Sequence, residues 1–164
     1  MRPGHRLPAR EAQDPRSGRT VRLRDQARGS IVLFVPHGPE CEGCRAYLGT
    51  LAGLDEACRL WDARRIAVAR GDVAGLRPSD PPFPGLADPG GDLVSRLAAP
   101  GHASLIVADR FGECFHVDEV GPDDHEGLST AAEIESWLRF IAIQCPECGV
   151  PDTVNPGEWG PPDR

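Results

Sequence analysis

IVLFVPHGPECEGC, Ile31–Cys44, is the stretch that decides how the chain is read. Its first five residues form a continuous β-branched and aromatic run of strand length. A run of that kind, without polar alternation, belongs to a central strand covered on both faces. Cys41 and Cys44 follow, two residues apart, just before Tyr47, Leu51, Leu54, Cys58 and Trp61 recur at helical spacing. Two cysteines so spaced can be half of a zinc site, a disulfide staple or a reactive dithiol. A pair that opens a helix directly after a buried strand favours the dithiol, because the helix N-terminus stabilises a thiolate.

Outward from this stretch, TVRLR predicts a short strand over Thr20–Arg24. RIAVA, Arg65–Ala69, reads as a second buried strand. RGDVAGLRPSDPPFPGLADPGG is rich in Pro and Gly and reads as a loop, followed by a short helix near Asp92–Ala98. ASLIVAD, Ala103–Asp109, is a third core strand, and CFHVDEV, Cys114–Val120, returns as its hairpin partner after the turn RFGE. The last helix, Ala131–Ile143, places Ile134, Trp137, Leu138 and Ile141 on one face. Alternation of strands and helices with one hairpin return specifies an α/β fold: a central mixed β-sheet flanked by helices on both faces. The expected organisation is a disordered basic arm over residues 1–19, one domain over 20–144, and a Pro/Gly-rich tail over 145–164.

These pieces, in this order, resemble the thioredoxin-like redoxin group, which includes the alkyl hydroperoxide reductase/thiol-specific antioxidant (peroxiredoxin) family and the membrane-tethered thiol–disulfide oxidoreductases. The resemblance rests on TVRLRDQARGSIVLFV followed by CxxC, on FPGLADPGGDLVSRL beside the segment F-P-x-L-x-D-x-x-G, and on ASLIVADRFGE as the fourth core strand and hairpin. It covers roughly residues 20 to 143. It implies a thioredoxin-like fold and a thiol–disulfide oxidoreductase, with peroxiredoxin-like reduction of hydroperoxides as the alternative. The implied partners are a protein disulfide or a hydroperoxide as substrate and a thiol as electron donor. No cofactor is implied.

Within that frame Cys41 is the expected nucleophile and Cys44, one turn further in, the resolving thiol. Glu40 and Glu42 oppose a second negative charge and Arg45 and His37 partly offset them, which predicts a reductant. Two departures from the families matter. Peroxiredoxins carry P-x-x-x-T-x-x-C around the reactive cysteine, but counting back from Cys41 the Thr place holds Gly38 and the Pro place holds Phe34. Counting back from Cys44, these places hold Cys41 and His37. Where thioredoxins carry a cis-proline before the third core strand, Ala103 stands, preceded by His102. His102 is therefore expected to face Cys41, either to take the proton of Cys44 or to complete a zinc or copper site with both sulfurs.

The other cysteines are expected to do less. Cys58 lies on an apolar helix face and reads as a small buried hydrophobe. Cys114, His116 and Asp118 fall on one side of a strand and read as strand filling, with metal binding as the alternative. His125 lies in GPDDHEG, read as a solvated acidic loop. Cys145 and Cys148, in CPECG, have the look of a zinc knuckle. The last helix, at ~1.5 Å per residue, carries the chain ~20 Å from the first pair, so the two CxxC pairs are not expected to meet within one chain.

Composition narrows the function classes. The 164 residues are 40% hydrophobic and 26% charged, the size and balance of one globular domain. All 18 basic residues are arginine, eight of them before residue 30, and the net charge is −7. An acidic body with an arm that lacks aromatic residues does not support nucleic-acid binding. No apolar run approaches the ~18 residues of a membrane span, and the first twenty residues contain no apolar stretch of a secretory signal. The expected location is therefore cytoplasmic, where thiols are kept reduced.

Overall fold

β3, Ser30–Val35, is buried along its whole length, as its unbroken apolar run requires. Its alternate side chains feed two separate cores. Val32 and Phe34 enter one, and Ile31, Leu33 and Val35 enter the other. The structure, a computed structural model, describes residues 1–23, 29–38, 40–71, 84–122 and 124–144. The remaining elements are β1 (Glu11–Asp14), β2 (Arg19–Arg22), α1 (Glu42–Ala52), α2 (Asp55–Leu60), β4 (Ala63–Arg70), β5 (Gly85–Asp88), α3 (Val94–Leu97), β6 (Ala103–Ala108), β7 (Cys114–Val120) and α4 (Ala131–Ile143).

The strands form one sheet in the order β2-β1-β5-β4-β3-β6-β7. β3, β4 and β5 run parallel, while β6 and β7 join antiparallel on one side and β1 and β2 on the other. One face is covered by α1, α2 and α4 through Leu48, Leu51, Cys58, Ile134, Trp137 and Leu138. The opposite face is covered by α3, through Leu97, and by the N-terminal segment. The mixed sheet with helices on both faces is the architecture expected from the strand–helix order.

Two segments differ from expectation. The arm expected to be disordered is folded: β1 and β2 pair as a hairpin, and Gln13 of β1 lies opposite Ala87 of β5. Leu7 and Ala12 are buried on the α3 face, and the amides of Gly4 and Leu7 donate to the carbonyls of Cys114 and Gly112. Two buried apolar side chains and the edge of β5 supply what the arm's own pattern lacks. The stretch expected to be a loop contains β5, whose ladder to β4 satisfies its backbone despite the flanking Pro and Gly. The tail residues Cys145 and Cys148 lie outside the described residues.

Among the described residues no helix is long and apolar enough to cross a membrane.

Candidate functional site

α1 begins where β3 ends, and Cys41 is its N-cap. The Cys41 Sγ accepts the Cys44 amide N–H at 3.4 Å, taking the place that a Ser or Asp oxygen fills in an ordinary cap. Cys44, one turn in, is buried, and its Sγ accepts the His37 amide N–H at 3.3 Å. Cys41 remains partly exposed. The strand-to-helix junction thus presents one sulfur outward and hides the other behind it.

Two imidazoles close on this pair. His37 Nε2 donates to the Gly121 carbonyl at 2.7 Å, which leaves Nδ1 as the acceptor nitrogen. Nδ1 lies 3.4 Å from Cys44 Sγ and 3.8 Å from Cys41 Sγ. His125 Nε2 lies 3.3 Å from Cys41 Sγ and 3.7 Å from Cys44 Sγ. The two rings meet edge to face, with centroids 5.0 Å apart. All four ligand atoms lie within 4.8 Å of one another.

His125 reaches the sulfurs because its loop is tied down. The Tyr47 hydroxyl, from α1, donates to the Ser129 carbonyl at 2.7 Å, and the Ser129 amide donates to Asp118 at 2.8 Å. The Asp124 amide donates to the Gly121 carbonyl, the same oxygen that His37 holds. A glycine makes room on the other side. A Cβ on Gly43 would lie 2.4 Å from His125 Cε1 and 2.6 Å from both ring nitrogens. The residue type between the two cysteines therefore decides whether a second imidazole can approach.

The surroundings separate the two thiols. Burial pushes Cys41 up, but the Cys44 N–H, the His37 and His125 imidazoles and the Cys44 thiol outweigh it and bring it down to about 6. Burial pushes Cys44 up to about 12, reinforced by the neighbouring Cys41 sulfur. Glu40 and Glu42 are exposed, where water screens their opposition to the thiolate. At neutral pH Cys41 is a thiolate and Cys44 a thiol.

The other sequence-selected residues lie elsewhere. His102 precedes β6 at the same end of the sheet but turns towards β7, its Nδ1 3.9 Å from the Glu119 carboxylate. The pairing of Ser104 with Glu119 places that carboxylate beside it. Cys58 is buried in the helix-side core, and burial raises its thiol to about 11. An irregularity in the β6–β7 ladder puts Cys114 in the opposite core from His116, so the trio with Asp118 does not share a side. Burial pushes Cys114 up to about 12. His116 stacks on Trp137, and its Nε2 lies 2.9 Å from both Asp118 and Ser129 Oγ, a buried brace under the site loop.

Sequence reasoning had weighed His37 only as a charge beside the dithiol and had missed His125, which stands 84 positions from Cys41. A glycine inside CxxC is the one local signal for the approach of a further ring, and it does not say whose.

No family model matches the chain, and no curated protein matches it in sequence. Its fold is nonetheless shared with solved structures. The peroxidoxin BcpB of Mycobacterium tuberculosis superposes with a TM-score of 0.70 at 19% identity, over 88% of this chain and 99% of that one. Reduced Prx3 of Vibrio vulnificus in complex with hydrogen peroxide gives 0.68 at 17% identity, over 84% and 99%. A putative thiol:disulfide interchange protein DsbE of Chlorobium tepidum gives 0.62 at 18% identity, over 87% and 98%. The fold is thioredoxin-like.

Proposed function

We propose that the protein is a thiol–disulfide oxidoreductase that works through Cys41 and Cys44. The observation that carries this reading is the paired geometry of the sulfurs: Cys41 caps a helix and meets solvent, while Cys44 lies buried directly behind it. A thiolate at about 6 falls between strongly oxidising dithiols at about 3.5 and reducing ones near 7.

The Cys41 thiolate attacks one sulfur of a substrate disulfide. A bond forms between that sulfur and Cys41 Sγ, and the second substrate sulfur leaves as a thiolate that takes a proton from water. Cys44 then gives its proton to His37 Nδ1, 3.4 Å away, and attacks Cys41 Sγ. The Cys41–Cys44 disulfide forms and the first substrate sulfur departs as a thiolate. Two electrons have passed from the dithiol to the substrate, and a thiol donor restores the dithiol. His125, 3.3 Å from Cys41 Sγ, donates to the thiolate before attack.

Hydroperoxide reduction is the less favoured reading, because Gly38 and Cys41 occupy the places where the peroxiredoxin signature has a hydroxyl. Mass spectrometry with a peptide disulfide tests the dithiol reading. Cys44→Ser is expected to accumulate a mixed disulfide on Cys41, and Cys41→Ser to lose turnover. Full turnover by Cys41→Ser refutes the assignment.

A further inference from the structure

The four side chains at the dithiol also satisfy a different chemistry. A tetrahedral ion with sulfur about 2.3 Å and nitrogen about 2.0–2.1 Å away holds each sulfur–nitrogen pair about 3.5 Å apart. The four such separations in the site are 3.3, 3.4, 3.7 and 3.8 Å. They bracket the ideal value from both sides, with all four donor atoms gathered within 4.8 Å. The outer partners fit as well. His37 spends its Nε2–H on the Gly121 carbonyl, the arrangement that orients a metal-bound imidazole and aims its free nitrogen lone pair at the ion. Backbone N–H groups donate to both sulfurs, at 3.4 Å to Cys41 and 3.3 Å to Cys44, which offsets the charge of a dithiolate. Gly43 leaves the space that the fourth ligand, His125, occupies.

We propose that the reduced protein binds a tetrahedral divalent ion of the zinc class through His37, Cys41, Cys44 and His125. Two sulfurs and two nitrogens suit zinc and exclude magnesium and calcium, which take oxygen. Four protein ligands close the coordination shell, so the bound ion has no open position for a substrate. Binding displaces the proton that Cys44 still carries and commits both sulfurs to the ion, so a loaded site reacts with disulfides more slowly than the free dithiol. Release deepens the oxidoreductase reading and rests on it: a small-molecule disulfide takes two electrons from the two thiolates, its sulfur–sulfur bond breaks to give two thiolates that take protons from water, and the Cys41–Cys44 disulfide that forms no longer holds the ion.

Cobalt titration of the reduced full chain tests this, in a Cys145→Ser/Cys148→Ser background that removes the tail sulfurs. One equivalent of Co2+ is expected to give thiolate charge-transfer bands and the intense visible bands of four-coordinate cobalt, and Zn2+ to bleach them. His125→Ala is expected to weaken binding by at least about a hundredfold, the upper end of what outer-shell partners alone command. Prior alkylation of Cys41 should abolish binding. Weak octahedral-type bands, or tetrahedral bands indifferent to His125 and to alkylation, overturn the site. A small aromatic disulfide should erase the cobalt spectrum as two protein thiols disappear. Cobalt bands that persist with both thiols intact overturn the release step, metal-free reduced protein that leaves the disulfide unreduced overturns the oxidoreductase reading, and turnover without any tetrahedral bands overturns the ion site alone.

Discussion

Gly43→Ala should reset the reactivity of Cys41 without unfolding the protein. The new methyl would stand 2.4 Å from His125 Cε1, so the ring must retreat by about 1 Å to reach ordinary carbon contact. That motion takes Nε2 from 3.3 Å to beyond hydrogen-bond reach of Cys41 Sγ. A hydrogen bond to a charged group is worth about 1.5–3 kcal/mol. Partial exposure of Cys41 argues for the low end, an upward move of about one pH unit in its titration midpoint. Starting from about 6, the thiolate fraction at pH 5 then falls roughly tenfold. Thiolate nucleophilicity rises with basicity, by about threefold for that change. The two effects oppose each other, so attack on an aromatic disulfide should be about threefold slower at pH 5 and about threefold faster at pH 9. The wild-type and Gly43→Ala profiles should therefore cross at about pH 6.5, as measured by stopped-flow absorbance in the Cys145→Ser/Cys148→Ser background. Folding should change by no more than about 1 kcal/mol, since alanine is the better helix former in α1 and the His125 side chain is partly exposed. Superimposable profiles would show that His125 does not hold the thiolate, and the electrostatic account of Cys41 would fall.

Other consequences follow from the packing. Leu7→Ala should cost about 3 kcal/mol in urea denaturation, since Leu7 is fully buried against the α3 face; a loss below about 0.5 kcal/mol would mean that the N-terminal segment does not pack. Asp118→Asn should destabilise by about 1–3 kcal/mol at neutral pH through its bonds to His116 and Ser129. Burial raises the Asp118 carboxyl, but those two partners outweigh it and hold it below the ordinary value. A depressed carboxylate adds stability that is complete above the unfolded value near 3.9 and lost as pH falls through the lower folded one. The difference from Asp118→Asn should accordingly shrink below about pH 4 in acid titration followed by circular dichroism; a gap that stays constant to pH 2 would contradict the pairing. At neutral pH, timed alkylation should modify Cys41 well before Cys58 or Cys114, whose buried thiols stay protonated.

Much of the scaffold was legible because burial leaves a local mark. IVLFV and ASLIVA are apolar without alternation because both of their faces are covered, and the structure finds β3 and β6 buried at every position. The capping pair Thr130 and Glu133 sets the start of α4 within its own sequence neighbourhood. β1 was not legible, since a four-residue edge strand with one buried side chain carries too little periodicity to stand out. β5 hid behind its Pro and Gly neighbours, and only the ladder to β4 reveals it.

The same division runs through the site. The sequence by itself placed the Cys41/Cys44 pair at a helix start, because two cysteines one helical turn apart need only the strand-to-helix junction that the apolar run announces. The tertiary structure alone decided what surrounds that dithiol. His125 arrives on a loop held by Tyr47 and Asp118, His37 is aimed by a carbonyl 84 positions away, and His102 stands beside Glu119 of the neighbouring strand. Cys114 parts from His116 at an irregularity in the ladder that no alternation pattern records. Local spacing fixes geometry within one helical turn. Contacts between residues far apart in the chain depend on sheet order and loop anchoring, which the whole chain settles together.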